Sequence, residues 1–158
     1  MRKLKIYLET TLFNFYFDKD REAHAATVRL FEDIAVGKFE AYTSTYVTDE
    51  LESAPKTKRD NMLKLITKYD IKVLPPINEA DKLADIYIAE GIIPPKYRTD
   101  GVHIAVATVY ELDFIVSMNF QHIVKLKTTL MTRTVNIMNG YRPVEINSPM
   151  EVVENENA

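Results

Sequence analysis

Leu4, Ile6 and Leu8 alternate with Lys5 and Tyr7, the period of two that marks a strand, and the run leads directly into Glu9-Thr10-Thr11. From Glu22 to Val36 the period changes. Val28, Phe31, Ile34 and Ala35 form one helical face, and Gly37 suits the position just past the helix end. A short second strand is predicted near Glu40 to Thr43. It leads into Ser44-Thr45-Tyr46-Val47-Thr48-Asp49-Glu50-Leu51, which reads as a helix start and is stopped by Pro55. Another helix is predicted from Thr57 to Tyr69, with Thr57 and Asp60 at capping-box spacing. Ile71 to Leu74 is a third strand closed by Pro75-Pro76. Asn78 can cap a helix to Glu90, which Gly91 ends.

Ile92 to Arg98 reads as a proline-bearing loop, and Thr99 can cap a helix that starts at Asp100. Phe114-Ile115-Val116 is the continuous apolar run of a buried parallel strand, ending at Ser117-Met118-Asn119. Leu126 to Asn139 is ambiguous: Leu130, Thr134 and Ile137 favour a helix, whereas its threonines and valine favour a strand. Gly140 and Pro143 set a turn before Val144-Glu145-Ile146, and Glu151 to Ala158 reads as a polar, frayed tail. Strands separated by helices predict an α/β chain, a three-layer α/β/α sandwich around a mostly parallel central sheet. Residues 1–150 form a single domain in this reading, with 151–158 as a C-terminal tail.

Composition narrows the chemistry. The 158 residues are 46% hydrophobic and 27% charged, enough for one core and too apolar for global disorder. Cysteine is absent, which excludes a disulfide scaffold, a thiol nucleophile, a zinc–thiolate site and an iron–sulfur cluster. With 4 glycines and no phosphate-cradling motif, a P-loop or dinucleotide fingerprint is absent. No apolar run approaches the roughly 20 residues a membrane helix needs. The stretch after Met1-Arg2-Lys3 is too short for a secretory signal, so the chain is expected in the cytoplasm. A net charge of −3 advertises no global basic field, so any nucleic acid must be met by a local patch.

Four polar residues follow strands or open the helices after them: Glu9, Glu50, Asp100 and Asn119. In a parallel sheet these positions share the carboxyl edge, where open α/β sheets bind ligands. Converging carboxylates repel one another, and a divalent cation removes that cost. Hard oxygen donors without cysteine, and without a histidine pair at helical spacing, select Mg²⁺ or Mn²⁺ over Zn²⁺. Asp49 rivals Glu50 for the pocket, and Glu50 is preferred because it borders the buried side marked by Val47 and Leu51.

These stretches resemble the PIN-domain family of metal-dependent ribonucleases, and in particular its VapC-type toxin branch. The resembling segments are Ile6 to Thr11, Ser44 to Leu51 and Asp100-Gly101-Val102-His103-Ile104-Ala105, followed by Phe114 to His122 and Gly140 to Pro149. They cover nearly the whole chain in order. The resemblance implies a PIN-like α/β/α domain whose acidic pocket binds Mg²⁺ or Mn²⁺ and cuts RNA, leaving a 5′-phosphate and a 3′-hydroxyl. It implies Glu9, Glu50 and Asp100 as metal ligands, Asn119 at a fourth position usually acidic, and Thr10 and Ser117 as hydroxyls beside them. Two positions depart from the family pattern. Glu9 replaces the usual Asp, moving the carboxylate by about 1.5 Å, one C–C bond. Asn119 keeps an oxygen but loses a charge, which weakens a second metal. An antitoxin partner and a homodimer are further implications, and no membrane partner is expected.

Lys96 and Arg98 are candidates for phosphate contact because their loop leads to Asp100. Two further basic groups, Lys56, Lys58 and Arg59 and then Lys125, Lys127 and Arg133, offer a rim or an ordinary solvated surface. His103 is either a base or ligand, or a buried histidine bonded to its neighbours. His24 and His122 are expected to be structural or exposed, with His122 at most touching phosphate. Another reading makes the chain an interaction module with weak or no catalysis, pairing with an antitoxin or nucleic acid. A metal-dependent phosphatase fits less well, because no Asp nucleophile follows the first strand.

Overall fold

The computed structural model describes residues 2–157. The chain runs β1 (Leu4–Leu8), α1 (Thr10–Phe15), α2 (His24–Ala35), β2 (Phe39–Ser44), α3 (Thr45–Glu52), α4 (Lys56–Lys68), β3 (Lys72–Leu74) and α5 (Asn78–Ala89). A 3₁₀ turn at Pro95–Tyr97 precedes α6 (Arg98–Val109), and β4 (Phe114–Val116), α7 (Leu126–Met138), β5 (Glu145–Asn147) and α8 (Pro149–Asn157) complete it. The five strands pair in the order β3-β2-β1-β4-β5, every pair parallel. β1 lies at the centre. Ile6 faces Ala41 on one side and Phe114 on the other, and Ile6, Tyr7 and Leu8 are fully buried.

The chain leaves β1 toward β2 and β3, then crosses back to β4 and β5. Right-handed crossovers therefore put the helices before and after the reversal on opposite faces. Packing follows that division: α1, α2, α3 and α4 contact one another, while α5 packs on α6 and α7. The predicted three-layer α/β/α sandwich is the observed architecture. Its reversal creates a crevice between β1 and β4 at their carboxyl ends, the place where such sheets hold ligands. Glu9 N donates to Val116 O at 3.1 Å and Ser117 N to Asn147 O at 3.0 Å, which ties the crevice walls to the sheet.

Several local expectations differ from the structure. The ambiguous segment is helix α7, but it is turned opposite to its apolar marks. Thr128, Thr132, Val135 and Asn136 are buried, while Leu126, Leu130, Ile137 and Met138 are exposed. Its buried polar groups are satisfied: Thr128 Oγ1 donates to His122 O, Thr132 Oγ1 to Thr128 O, and Tyr87 Oη to Asn136 Oδ1. The residues expected as a frayed tail continue as α8, which packs on α2 and buries Val152 in the core; only Ala158 of that tail lies outside the described residues. Capping differs too. α4 starts at Lys56 behind Pro55, and Asp60 accepts from Lys56 Nζ at 3.1 Å instead of closing a capping box. Ile77 and Tyr97 hold the cap positions of α5 and α6, without side-chain caps from Asn78 or Thr99. Among the described residues no helix is long and apolar enough to cross a membrane.

Candidate active site

Each carboxylate reaches the crevice for a local reason. Glu9 is the residue after β1 and has extended backbone (φ −80°, ψ 160°), so its side chain turns back to cap α1. Its Oε1 accepts from Thr11 N at 3.2 Å, from Thr11 Oγ1 and from Ser117 Oγ at 2.6 Å. Thr11 Oγ1 in turn accepts from Met118 N at 2.8 Å, and Ser117 Oγ from Asn119 N at 2.9 Å. The loops after β1 and β4 are thus stitched together around one carboxylate. Glu9 is 3% exposed, and burial raises its pKa above the ordinary carboxylate value against the opposing pull of His103 and the hydroxyl donors.

Glu50 comes from α3, beyond β2. Its Oε1 accepts from Thr10 Oγ1 at 2.9 Å and from His103 Nε2 at 2.6 Å, whereas Asp49 is exposed, which decides between the two acids. His103 is fully buried on α6, and its Nδ1 lies 2.7 Å from Tyr7 Oη, itself 2.6 Å from Ser44 Oγ. This line of four side chains crosses the sheet from β2 through β1 to the pocket. Burial opposes charging of His103, but the Glu50 hydrogen bond and the charges of Glu9, Glu50 and Asp100 outweigh it and raise its pKa. Burial likewise works to raise the Glu50 pKa, and His103 and Thr10 reverse it, holding that carboxyl below its ordinary value.

Asp100 stands in the first turn of α6, where the helix dipole favours a carboxylate. Its Oδ2 lies 2.9 Å from His122 Nδ1. His122 N donates to Asn119 Oδ1 at 3.0 Å, so Asn119 caps the turn that carries His122. The imidazole of His122 lies against the Tyr97 ring, with centroids 4.1 Å apart and planes 34° apart.

The predicted acids therefore gather at one edge, and all three act electrostatically on His103. Each spends one oxygen on this network. Among the described residues, hydrogen bonds reach only Oε1 of Glu9, Oε1 of Glu50 and Oδ2 of Asp100, leaving the second oxygen of each outside it. Hard oxygen donors in this number fit Mg²⁺ or Mn²⁺. They are not drawn into a finished cage: among the described residues no group of three or more His, Asp or Glu side chains is arranged to hold a metal ion. Closing a shell around an ion takes side-chain movement, with the imidazoles of His103 and His122 meanwhile occupying the carboxylates.

Four expectations about neighbouring residues change. Thr10 and Ser117 give their hydroxyls to Glu50 and Glu9, and Ser117 is fully buried, so they orient carboxylates instead of reaching outward. Arg98 turns to α5, with Nε 3.0 Å from Asp85 Oδ1 and a further contact to Asp81, which removes it from the phosphate role. Lys96 stays at the rim, its Nζ 5.8 Å from the Tyr97 ring centroid. In the other basic groups Lys56 pairs with Asp60, Arg133 with Glu145, and Lys127 Nζ donates to Gly91 O. Sequence reasoning missed Thr11, Tyr97 and the place of His122. The spacing Asn119-x-x-His122 was the one signal for the last, because it is a capping spacing that fixes where the histidine stands.

A cavity of about 510 Å³ lies at the opposite edge, lined by Lys3, Phe39, Lys68 and Lys72 among others, and holds none of these residues. The lysines there stand near helix C-termini, where cations complement the dipole.

No protein-family model matches the sequence, and comparison with curated proteins gives no match. Solved structures do match. The chain superimposes on the Rickettsia felis VapBC2 structure, determined bound to a DNA fragment from the promoter, with a TM-score of 0.59 and 10% identity over 92% of this chain and 98% of that one. It also matches Mycobacterium tuberculosis VapC20, a Sarcin–Ricin loop cleaving toxin, with a TM-score of 0.57 and 11% identity over 89% of this chain and 98% of that one. The fold is thus that of the PIN-domain VapC toxins, as the sequence resemblance implies.

Proposed function

We propose that this chain is a metal-dependent endoribonuclease that hydrolyses RNA phosphodiesters, acting as the toxin of a toxin–antitoxin pair. One observation carries the reading: Glu9, Glu50 and Asp100 surround His103 at the β1/β4 crevice, each with a carboxylate oxygen left over. The likeness in fold to a toxin described as cleaving the Sarcin–Ricin loop supports it. Glu9, Glu50 and Asp100 would hold Mg²⁺ or Mn²⁺, with Asn119 close by. The chemistry such an ion supplies when bound is acidification of the attacking water and neutralisation of charge on the phosphate.

The chain's own residues do the positioning. Thr11 and Ser117 fix Glu9, and Thr10 and His103 fix Glu50. His122 fixes Asp100, so all three acids are pre-oriented before any ion or RNA arrives. Cleavage of a mixed pool of end-labelled RNAs in Mn²⁺, in Mg²⁺ and in EDTA tests the proposal, beside Asp100→Asn prepared identically. Metal-dependent fragments that vanish with the variant support it, and fragments unchanged by the variant refute it.

The incomplete ligand shell favours a second reading, an interaction module of little catalytic power whose acidic pocket receives basic side chains of an antitoxin. The VapBC2 structure, determined on promoter DNA, makes a partner of that kind reasonable. Manganese binding by calorimetry with no cleavage of any RNA in the pool would select this reading over the first.

A further inference from the structure

We propose that Tyr97, backed by His122, forms a nucleobase-stacking subsite on the Asp100 side of the acidic pocket, an inference that rests on RNA being the substrate. The chain has 9 tyrosines. Eight anchor their hydroxyl on another residue, either another side chain or, for Tyr110, a backbone carbonyl. Among the described residues Tyr97 alone has no hydroxyl partner. Its ring is also 39% exposed, on the turn three residues before Asp100. Neither hydrogen bonding nor core packing accounts for a tyrosine here.

The ring is nevertheless held in place. One face lies 4.1 Å from the His122 imidazole, measured between centroids, and His122 is fixed at Nδ1 by Asp100 and at its peptide nitrogen by Asn119. A base stacking on the remaining ring surface thus meets a platform already rigid relative to Asp100, and little freedom is lost on contact. Stacking on tyrosine and histidine is how proteins grip unpaired RNA bases, and it tolerates any base because every base has a π-face.

Charge makes such a handle useful. The pocket is acidic and the whole chain carries −3, so a polyanion gains little from the general field. Arg98 is committed to α5 and Arg133 to Glu145. Lys96, with Nζ 5.8 Å from the Tyr97 centroid, is the cation placed to meet a phosphate next to the stacked base. An aromatic contact that does not depend on charge therefore positions the strand where Coulomb attraction does not.

The chain contains no tryptophan, so Tyr97→Trp installs a single reporter. Its fluorescence is titrated in Mg²⁺ with a ten-nucleotide adenylate RNA and with an abasic ribose-phosphate chain of equal length, the oligomers being checked on a gel afterwards. Saturable quenching by the base-bearing strand and none by the abasic strand is the expected result. In parallel, Tyr97→Leu, which keeps an apolar contact to His122, raises KM for RNA by roughly 5- to 150-fold with kcat little changed, and Tyr97→Phe, which keeps the ring, restores it. Equal response to both strands, or an unchanged KM for Tyr97→Leu, overturns the subsite. If wild type cleaves no RNA, the nuclease reading falls on that observation alone, and the quenching still decides the subsite.

Discussion

Glu9 shows how one residue can be both costly and useful. Its carboxyl is buried and its pKa raised, so in the folded chain it holds its proton to higher pH than in the unfolded chain. Its contribution to stability is then full below the unfolded value and is lost as pH rises through the folded value. Glu9→Gln removes the charge without changing the shape. Its Tm at neutral pH, in EDTA, is expected above that of wild type, with a flatter decline from pH 4 to pH 7. Thermal melts across that range check this, and a lower Tm for the variant at every pH would refute it. His103 titrates in the same sense with its pKa raised, and Glu50 in the opposite sense with its pKa lowered. The pair therefore stabilises most between the two, fading below the unfolded Glu50 value in acid and above the folded His103 value in base. Tyr7→Phe leaves a buried imidazole nitrogen and the Ser44 hydroxyl without their shared partner, and costs about 1–3 kcal/mol in chemical denaturation.

At the scale of elements, the strands and their sequence-adjacent acids were readable because strand period and position after a strand are local properties. β1, β4 and the helix carrying Glu50 fall where alternation and apolar runs place them. α7 shows what is not local. Its apolar residues read correctly as a helix but face outward, because its inner face is built from threonines and Asn136 bonded to His122 O and Tyr87. α8 reads as a tail because its stretch is polar, and a single buried valine marks its packing on α2. Val152→Asp is accordingly expected to destabilise by several kcal/mol, as a charge placed in a core does, while Leu126→Ser stays within about 0.5 kcal/mol. Urea titrations of both variants separate the two faces. Arg98 failed as a phosphate contact for the same non-local reason: the loop that points it toward Asp100 in sequence lies beside Asp81 and Asp85 of α5 in space. Arg98→Ala is expected to cost under about 1 kcal/mol, since its ion pairs are exposed, and to leave KM for RNA unchanged. A rise in KM would restore it to the binding surface.

Across the whole molecule, one topological fact organises the chemistry. The strand order reverses between β1 and β4, and every candidate ligand follows a strand on the same edge. That convergence was deducible from the sequence once a parallel sheet was assumed. The histidines that hold two of the acids were not, because His103 and His122 are 53 and 22 residues from the partners they bond. The same imidazoles keep the carboxylates apart from any ion until side chains move, so the account turns on whether an ion enters at all. Diffraction from crystals soaked in Mn²⁺, with data collected at the manganese edge, settles this most directly. The account predicts an anomalous peak at the β1/β4 crevice, within bonding distance of oxygens from Glu9, Glu50 and Asp100. Full occupancy of a manganese site elsewhere, with that crevice empty, would contradict it.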